Sequence, residues 1–150
     1  MHLNHPDITT VLVTADEIAE KVLELAGELD SYYQDKDPLL VGVLKGAVPF
    51  VADLSRAMQL STSQDWMAVS SYGSGTTSSG VVRILKDLDT DVTDRHVLIV
   101  EDIIDSGLTL SWLTTNLANR GAASVEVVTL LRKPGAAKVQ INVRWVGFDI

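Results

Sequence analysis

The sequence predicts an α/β fold, a mainly parallel sheet flanked by helices with one antiparallel strand pair bearing a loop. Three observations carry that prediction. Apolar runs of strand length, LLVGVL at 39–44, HVLIVE at 96–101 and SVEVVTLLRK at 124–133, alternate with stretches of helical periodicity. Their apolar residues run together rather than alternating, as strands covered on both faces require. Segments of unusual composition follow the strands: LKG, SYGSGTTSSG, EDIIDSGLT and RKPG. In a parallel sheet such segments gather beyond the carboxyl ends of the strands, where ligands bind.

Each element has its own signal. Residues 14–30 place Ile18, Val22, Leu25 and Leu29 at helical spacing, and Thr14 with Glu17 forms a capping box. DKDP at 35–38 is a turn, and 39–44 is the first strand. Pro49 lies early in a helix that the pattern extends to about Leu60. Residues 64–71 read as the second strand, 72–80 as a mobile Gly/Ser/Thr loop, and 81–88 as the third. The strand at 96–101 precedes a helix from Leu108 to Asn119. The strand at 124–133 follows, and 143–150 begins a sixth.

The totals exclude several classes. The chain has 150 residues, 46% of them hydrophobic, which suits one globular domain with a Val/Leu/Ile/Ala core. There is no cysteine, so a disulfide framework and a thiolate metal site are excluded and a cytoplasmic location is expected. MHLNHPDITT lacks the basic and apolar regions of a signal peptide, and no apolar run reaches the ~18 residues of a membrane span. A net charge of −8 argues against nucleic-acid binding, which needs a basic face. An acidic chain still binds anions through helix-start N–H groups or a divalent cation.

VEDIIDSGLT at 100–109 concentrates the chemistry. Glu101 and Asp102 are adjacent, so on a strand end they face opposite sides and can serve different partners, such as a ribose hydroxyl and hydrated Mg2+. Asp105 sits in the turn, and DSGLT offers backbone N–H groups, two hydroxyls, a flexible Gly107 and a helix start. That suits a phosphate monoester held without Lys or Arg. The plainer alternative is a solvated acidic loop with Ser106 or Thr109 as the helix cap. Trp66, Trp112 and Trp145 read as packing residues, Arg132 and Lys138 as solvated, and His96 as a strand-end residue.

VLIVEDIIDSGLT resembles the phosphoribosyl pyrophosphate (PRPP) signature of type I phosphoribosyltransferases. Together with LKGAVPF, VSSYGSGTTSSGVVRILKDLD, LLRKPGA and VGFDI, it is similar to the bacterial hypoxanthine-guanine phosphoribosyltransferases. The resemblance implies the type I phosphoribosyltransferase fold and transfer of the phosphoribosyl group from PRPP to hypoxanthine or guanine. The products are IMP or GMP and pyrophosphate, with Mg2+ as cofactor and a homodimer or homotetramer as the assembly. It assigns Asp105, Ser106, Gly107, Leu108 and Thr109 to the 5′-phosphate, with Asp105 also the general base. Glu101 and Asp102 meet the ribose and the metal. Leu44, Lys45 and Gly46 bind pyrophosphate through a Leu–Lys peptide that can be cis. Ser71 and Tyr72 open the flexible loop that closes over the reaction, and Lys133 and Ile103 meet the purine, Lys133 at its O6. The family pattern continues past GFDI into a hood carrying a stacking aromatic, an acid and an arginine, so a single domain truncated at its C-terminus is expected. The alternatives are a PRPP- or nucleotide-sensing regulator on the same fold, and a receiver-type scaffold that binds no nucleotide.

Overall fold

The computed structural model describes residues 5–72 and 81–150, with Ser71, Tyr72 and Val81 described by backbone only. Its elements are α1 (Ala15–Tyr32), β1 (Leu39–Val43), α2 (Val48–Ala57), β2 (Ser63–Tyr72) and β3 (Val81–Lys86). They continue with β4 (His96–Ile104), α3 (Leu108–Asn119), β5 (Ser124–Arg132) and β6 (Trp145–Asp149), with a 3-10 turn at Pro134–Ala136. The strands form one six-stranded sheet in the order β3-β2-β1-β4-β5-β6. Every neighbouring pair is parallel except β2–β3. The predicted architecture is therefore the observed one.

Strand periodicity sorts β4 between two cores. Leu98 and Val100 join the cluster under α1 and α2, with Leu25, Leu29, Phe50 and Leu54. Val97 and Ile99 join the cluster under α3, with Leu110, Leu113 and Leu117. Side chains alternate across a strand, so a run of apolar residues feeds both layers. Truncating Leu98 or Leu113, each wholly buried, to Ala costs about 2–5 kcal/mol.

Two boundaries differ from the sequence reading by three residues. α2 ends at Ala57, short of Leu60, and Met58 is already extended (φ −71, ψ 140). The cause lies in another helix: the Asp30 carboxylate accepts the N–H groups of Gln59 and Leu60 at 2.8 and 3.1 Å, drawing them out of the helix. β4 runs three residues past Glu101, because β5 continues beside it with Ile103 opposite Leu131 and Ile104 opposite Arg132. The acids thus lie within a paired strand rather than beyond its end. The predicted loop of 72–80 falls largely outside the described residues; Ser71 and Tyr72 close β2 opposite Val82 and Val81.

Candidate active site

Position in β4 sends its two acids to opposite faces, as their adjacency predicts. Glu101 follows Ile99 onto the α3 side and lines a cavity of about 180 Å³ with Asp105, Ser106, Gly107 and Thr109. Burial pushes its carboxyl up to about 8, with the charge of Asp102 as the second cause. Asp102 turns to the other face and meets the end of β1. A β-carbon added at Gly46 would lie 2.5 Å from Asp102 Oδ2. The LKG turn thus packs against the acid at Gly46, where an added side chain would have to displace the Asp102 carboxylate. The Leu44–Lys45 peptide is cis. The Leu44 N–H donates to the Met67 carbonyl at 2.8 Å, which ties the turn to β2.

The α3 helix begins without a side-chain cap. Its N-cap is Gly107, in the left-handed region at φ 82. Ser106 Oγ lies 3.4 Å from the Leu108 N–H, at the weak limit of a hydrogen bond. The plainer expectation of an ordinary Ser or Thr cap is thus not what forms. The open start, with the dipole's positive end, faces the Glu101 cavity and suits an anion.

A second cavity, of about 340 Å³, shares the Asp105–Gly107 wall and adds Lys133, Arg132 and Ile141. The Lys133 N–H donates to the Ile104 carbonyl at 2.9 Å, which sets the β5 end beside the β4 turn. Asp105 and Lys133 are both exposed and share this cavity. Ile103 lines the smaller cavity and not this one, so the two expected purine contacts occupy different cavities. Lys45 is exposed on the β1 turn, outside both. Arg132, expected to be solvated, keeps part of its solvent exposure and pairs at the surface with Asp149 through contacts of 2.7 and 3.1 Å. Neighbouring parallel strand ends place them side by side.

Sequence reasoning missed the β5–β6 connection. Ile141 and Val139 pack on Gly107, and the Lys138 N–H donates to the Ser106 carbonyl at 2.9 Å. No periodicity or motif in 134–144 announces this. Thr129 was also unmarked; it pairs with Glu101 in register, is fully buried, and spends its hydroxyl on the Leu131 carbonyl at 2.8 Å.

Among the described residues no group of three or more His, Cys, Asp or Glu forms a metal cage. Glu101 and Asp102 face opposite sides of the sheet, so one of them would hold Mg2+, which takes one or two protein carboxylates and fills its other positions with water and substrate oxygens.

A mainly parallel sheet with two acids near the end of its fourth strand, an uncapped helix start and the LKG turn beside them points to a phosphoribosyltransferase-type site. A family model described as "Phosphoribosyl transferase domain" matches residues 11–150. The Mycobacterium avium hypoxanthine-guanine phosphoribosyltransferase is 56% identical, over 96% of this chain and 74% of the relative. That of Bacillus subtilis is 54% identical, over 96% and 80%. A crystal structure of a hypoxanthine phosphoribosyltransferase from Staphylococcus aureus superposes with a TM-score of 0.95 at 40% identity, covering 99% of this chain and 83% of that one. The chain belongs to the hypoxanthine-guanine phosphoribosyltransferase family.

Proposed function

We propose that the chain transfers the 5-phosphoribosyl group from PRPP to hypoxanthine or guanine, a purine salvage reaction giving IMP or GMP and pyrophosphate. The observation that carries this reading is the open start of α3 on a cavity that also holds Glu101. No feature favours the regulatory alternative, and Asp105 and Lys133, which line one cavity, support the reading as an enzyme.

On this reading the 5′-phosphate of PRPP sits at the α3 start, receiving N–H groups from the Gly107 turn. Glu101 and Asp102, on opposite faces, hold the ribose hydroxyls and Mg2+. The LKG turn takes the pyrophosphate, and Lys133 meets the purine O6. A ring nitrogen of the base then attacks the ribose anomeric carbon. The bond from that carbon to the pyrophosphate oxygen breaks, and pyrophosphate departs with the electron pair. The base loses its ring N–H proton to the Asp105 carboxylate. Mg2+, when bound, supplies positive charge against the departing pyrophosphate. The protein's own share is alignment and fixed dipoles aimed at that charge. No helix among the described residues is long and apolar enough to cross a membrane. The reading places the enzyme in the cytoplasm as a homodimer or homotetramer.

The test is nucleotide formation from PRPP and Mg2+ with hypoxanthine, guanine, xanthine and adenine, each offered separately. Turnover with 6-oxopurines and none with adenine is expected. Binding of PRPP without turnover of any base would favour the sensing regulator instead.

A further inference from the structure

The Gly107 turn is held from outside by the β5–β6 connection. A β-carbon at Gly107 would lie 2.7 Å from Ile141 Cδ1 and 3.4 Å from Val139 Cγ2. Beside it, the Lys138 N–H donates to the Ser106 carbonyl at 2.9 Å. Two successive residues of the turn are thus fixed by one segment, one through packing and one through a hydrogen bond. Ile141 is itself anchored, packing on the core cluster that includes Leu110 and Leu113 of α3. Gly107 is the residue that most needs fixing, because glycine crosses freely between left- and right-handed backbone. The Ser106–Gly107–Leu108 peptides also decide where the first N–H groups of α3 point.

We propose that Ile141 is a positioning residue: through its Cδ1 it locks Gly107 in the left-handed conformation and so presets the α3 N–H groups for a phosphate monoester. This rests on the reading of the α3 start as the 5′-phosphate site. A preset turn does not have to be ordered when the ligand arrives, which is where the affinity comes from.

The experiment is calorimetric titration of wild type, Ile141→Val, Ile141→Ala and Val127→Ala with ribose 5-phosphate, and separately with pyrophosphate. Ile141→Val deletes Cδ1, the nearer of the two Ile141 carbons at Gly107, and keeps the other, Cγ1, 3.5 Å from the β-carbon position. Val127→Ala removes bulk from the same core cluster at a buried β5 position that lines neither cavity at the Gly107 turn, and controls for lost stability. Ile141→Ala is expected to weaken ribose 5-phosphate by about tenfold, with Ile141→Val intermediate. Pyrophosphate affinity is expected to hold in all variants, and Val127→Ala to bind both ligands as wild type does. Unchanged ribose 5-phosphate affinity in both Ile141 variants overturns the proposal, as does an equal loss of both ligands. If Ile141→Ala does not fold, Ile141→Val decides alone. If wild type binds pyrophosphate but not ribose 5-phosphate, the assignment of the α3 start is wrong and the positioning role falls with it.

Discussion

Two helices of this chain begin in opposite ways. At α1, Thr14 Oγ1 accepts the Glu17 N–H and Glu17 Oε1 accepts the Thr14 N–H, both at 3.1 Å. At α3, the N-cap is a glycine with no side-chain cap. A capped start stabilises its helix by ~1 kcal/mol, so leaving one open is a sacrifice of stability that a ligand can offset. The acids follow the same division. Asp65, 5% exposed in β2, accepts N–H groups from Trp66, Asp89 and Thr90 at 2.8, 3.0 and 2.9 Å. Burial pushes its carboxyl up, but those hydrogen bonds and the Thr90 hydroxyl outweigh it and hold the carboxyl below its usual range. Glu101 is instead raised, by burial and by the charge of Asp102. Asp65 and the α1 start are closed by the protein itself, whereas Glu101 and the α3 start are left for something else to close.

The largest expected effect separates exposed acids at the two helix starts. Asp105→Asn lowers kcat by about 10²–10⁴ if the carboxylate takes the base's proton. Asp16→Asn, in the first turn of α1, leaves kcat unchanged. Steady-state rates with hypoxanthine decide it; full turnover in Asp105→Asn would end the general-base assignment.

Glu101 and Asp65 predict opposite pH dependence of stability. Glu101 titrates at about 8 when folded and near ~4.3 when unfolded. Folding therefore takes up a proton between those values. The stability this brings is complete below the unfolded value and falls as pH rises through the window, by up to ~1.4 kcal/mol per unit, then levels off. Asp65 has the reverse sign. Its contribution is present above ~3.9 and is lost as pH falls through its lowered folded value. Urea unfolding in EDTA at a series of pH values reads both limbs. Glu101→Gln should flatten the alkaline slope and Asp65→Asn the acid one. A wild-type curve flat from about pH 5 to 8 would show that Glu101 is compensated after all.

Much of this division was legible in the sequence. The capping box is a local pattern, so Thr14 and Glu17 named the closed start directly. The apolar runs set the strands, and the period of two sent Glu101 and Asp102 to opposite faces. The resemblance supplied the cis Leu–Lys turn, which local propensity alone would not suggest. What stayed hidden depends on contacts between distant segments. Asp30 ends α2, β5 prolongs β4, and the Asp149 carboxylate takes Arg132. Ile141 reaches Gly107 from a segment without periodicity. None of these leaves a trace in a short window of sequence.

Two glycines sharpen the contrast next. Gly107 sits at φ 82 against Ile141, so Gly107→Ala costs ~1–2 kcal/mol in backbone strain alone and displaces the turn. PRPP KM should rise by about tenfold or more. Gly27, inside α1, has nothing within 4 Å of an added β-carbon. Gly27→Ala should stabilise by about 0.5–1 kcal/mol, with kinetics unchanged. Thermal unfolding and PRPP titration of the pair measure both signs. Equal destabilisation by the two substitutions would mean that the Gly107 turn carries no special constraint.

The smallest effect tests the closed start itself. Thr14→Ala removes the side chain that accepts the Glu17 N–H, and the reciprocal bond from Glu17 then loses its partner geometry. The helix retains Val22, Leu25, Ala26 and Leu29 in the core, so it frays at one end rather than detaching. The loss should be ~1 kcal/mol, read as a lower urea midpoint with an unchanged slope. Nothing at the α1 start lines the Glu101 or Lys133 cavities, so kcat and the KM for PRPP should match wild type. Placing a cap on α3 is the mirror experiment. Gly107→Asp offers a carboxylate to the same N–H groups and would compete with the phosphate for them. If Thr14→Ala impaired PRPP use as Gly107→Asp should, the two helix starts would not be separate devices, and the open one would lose its claim to be a binding site.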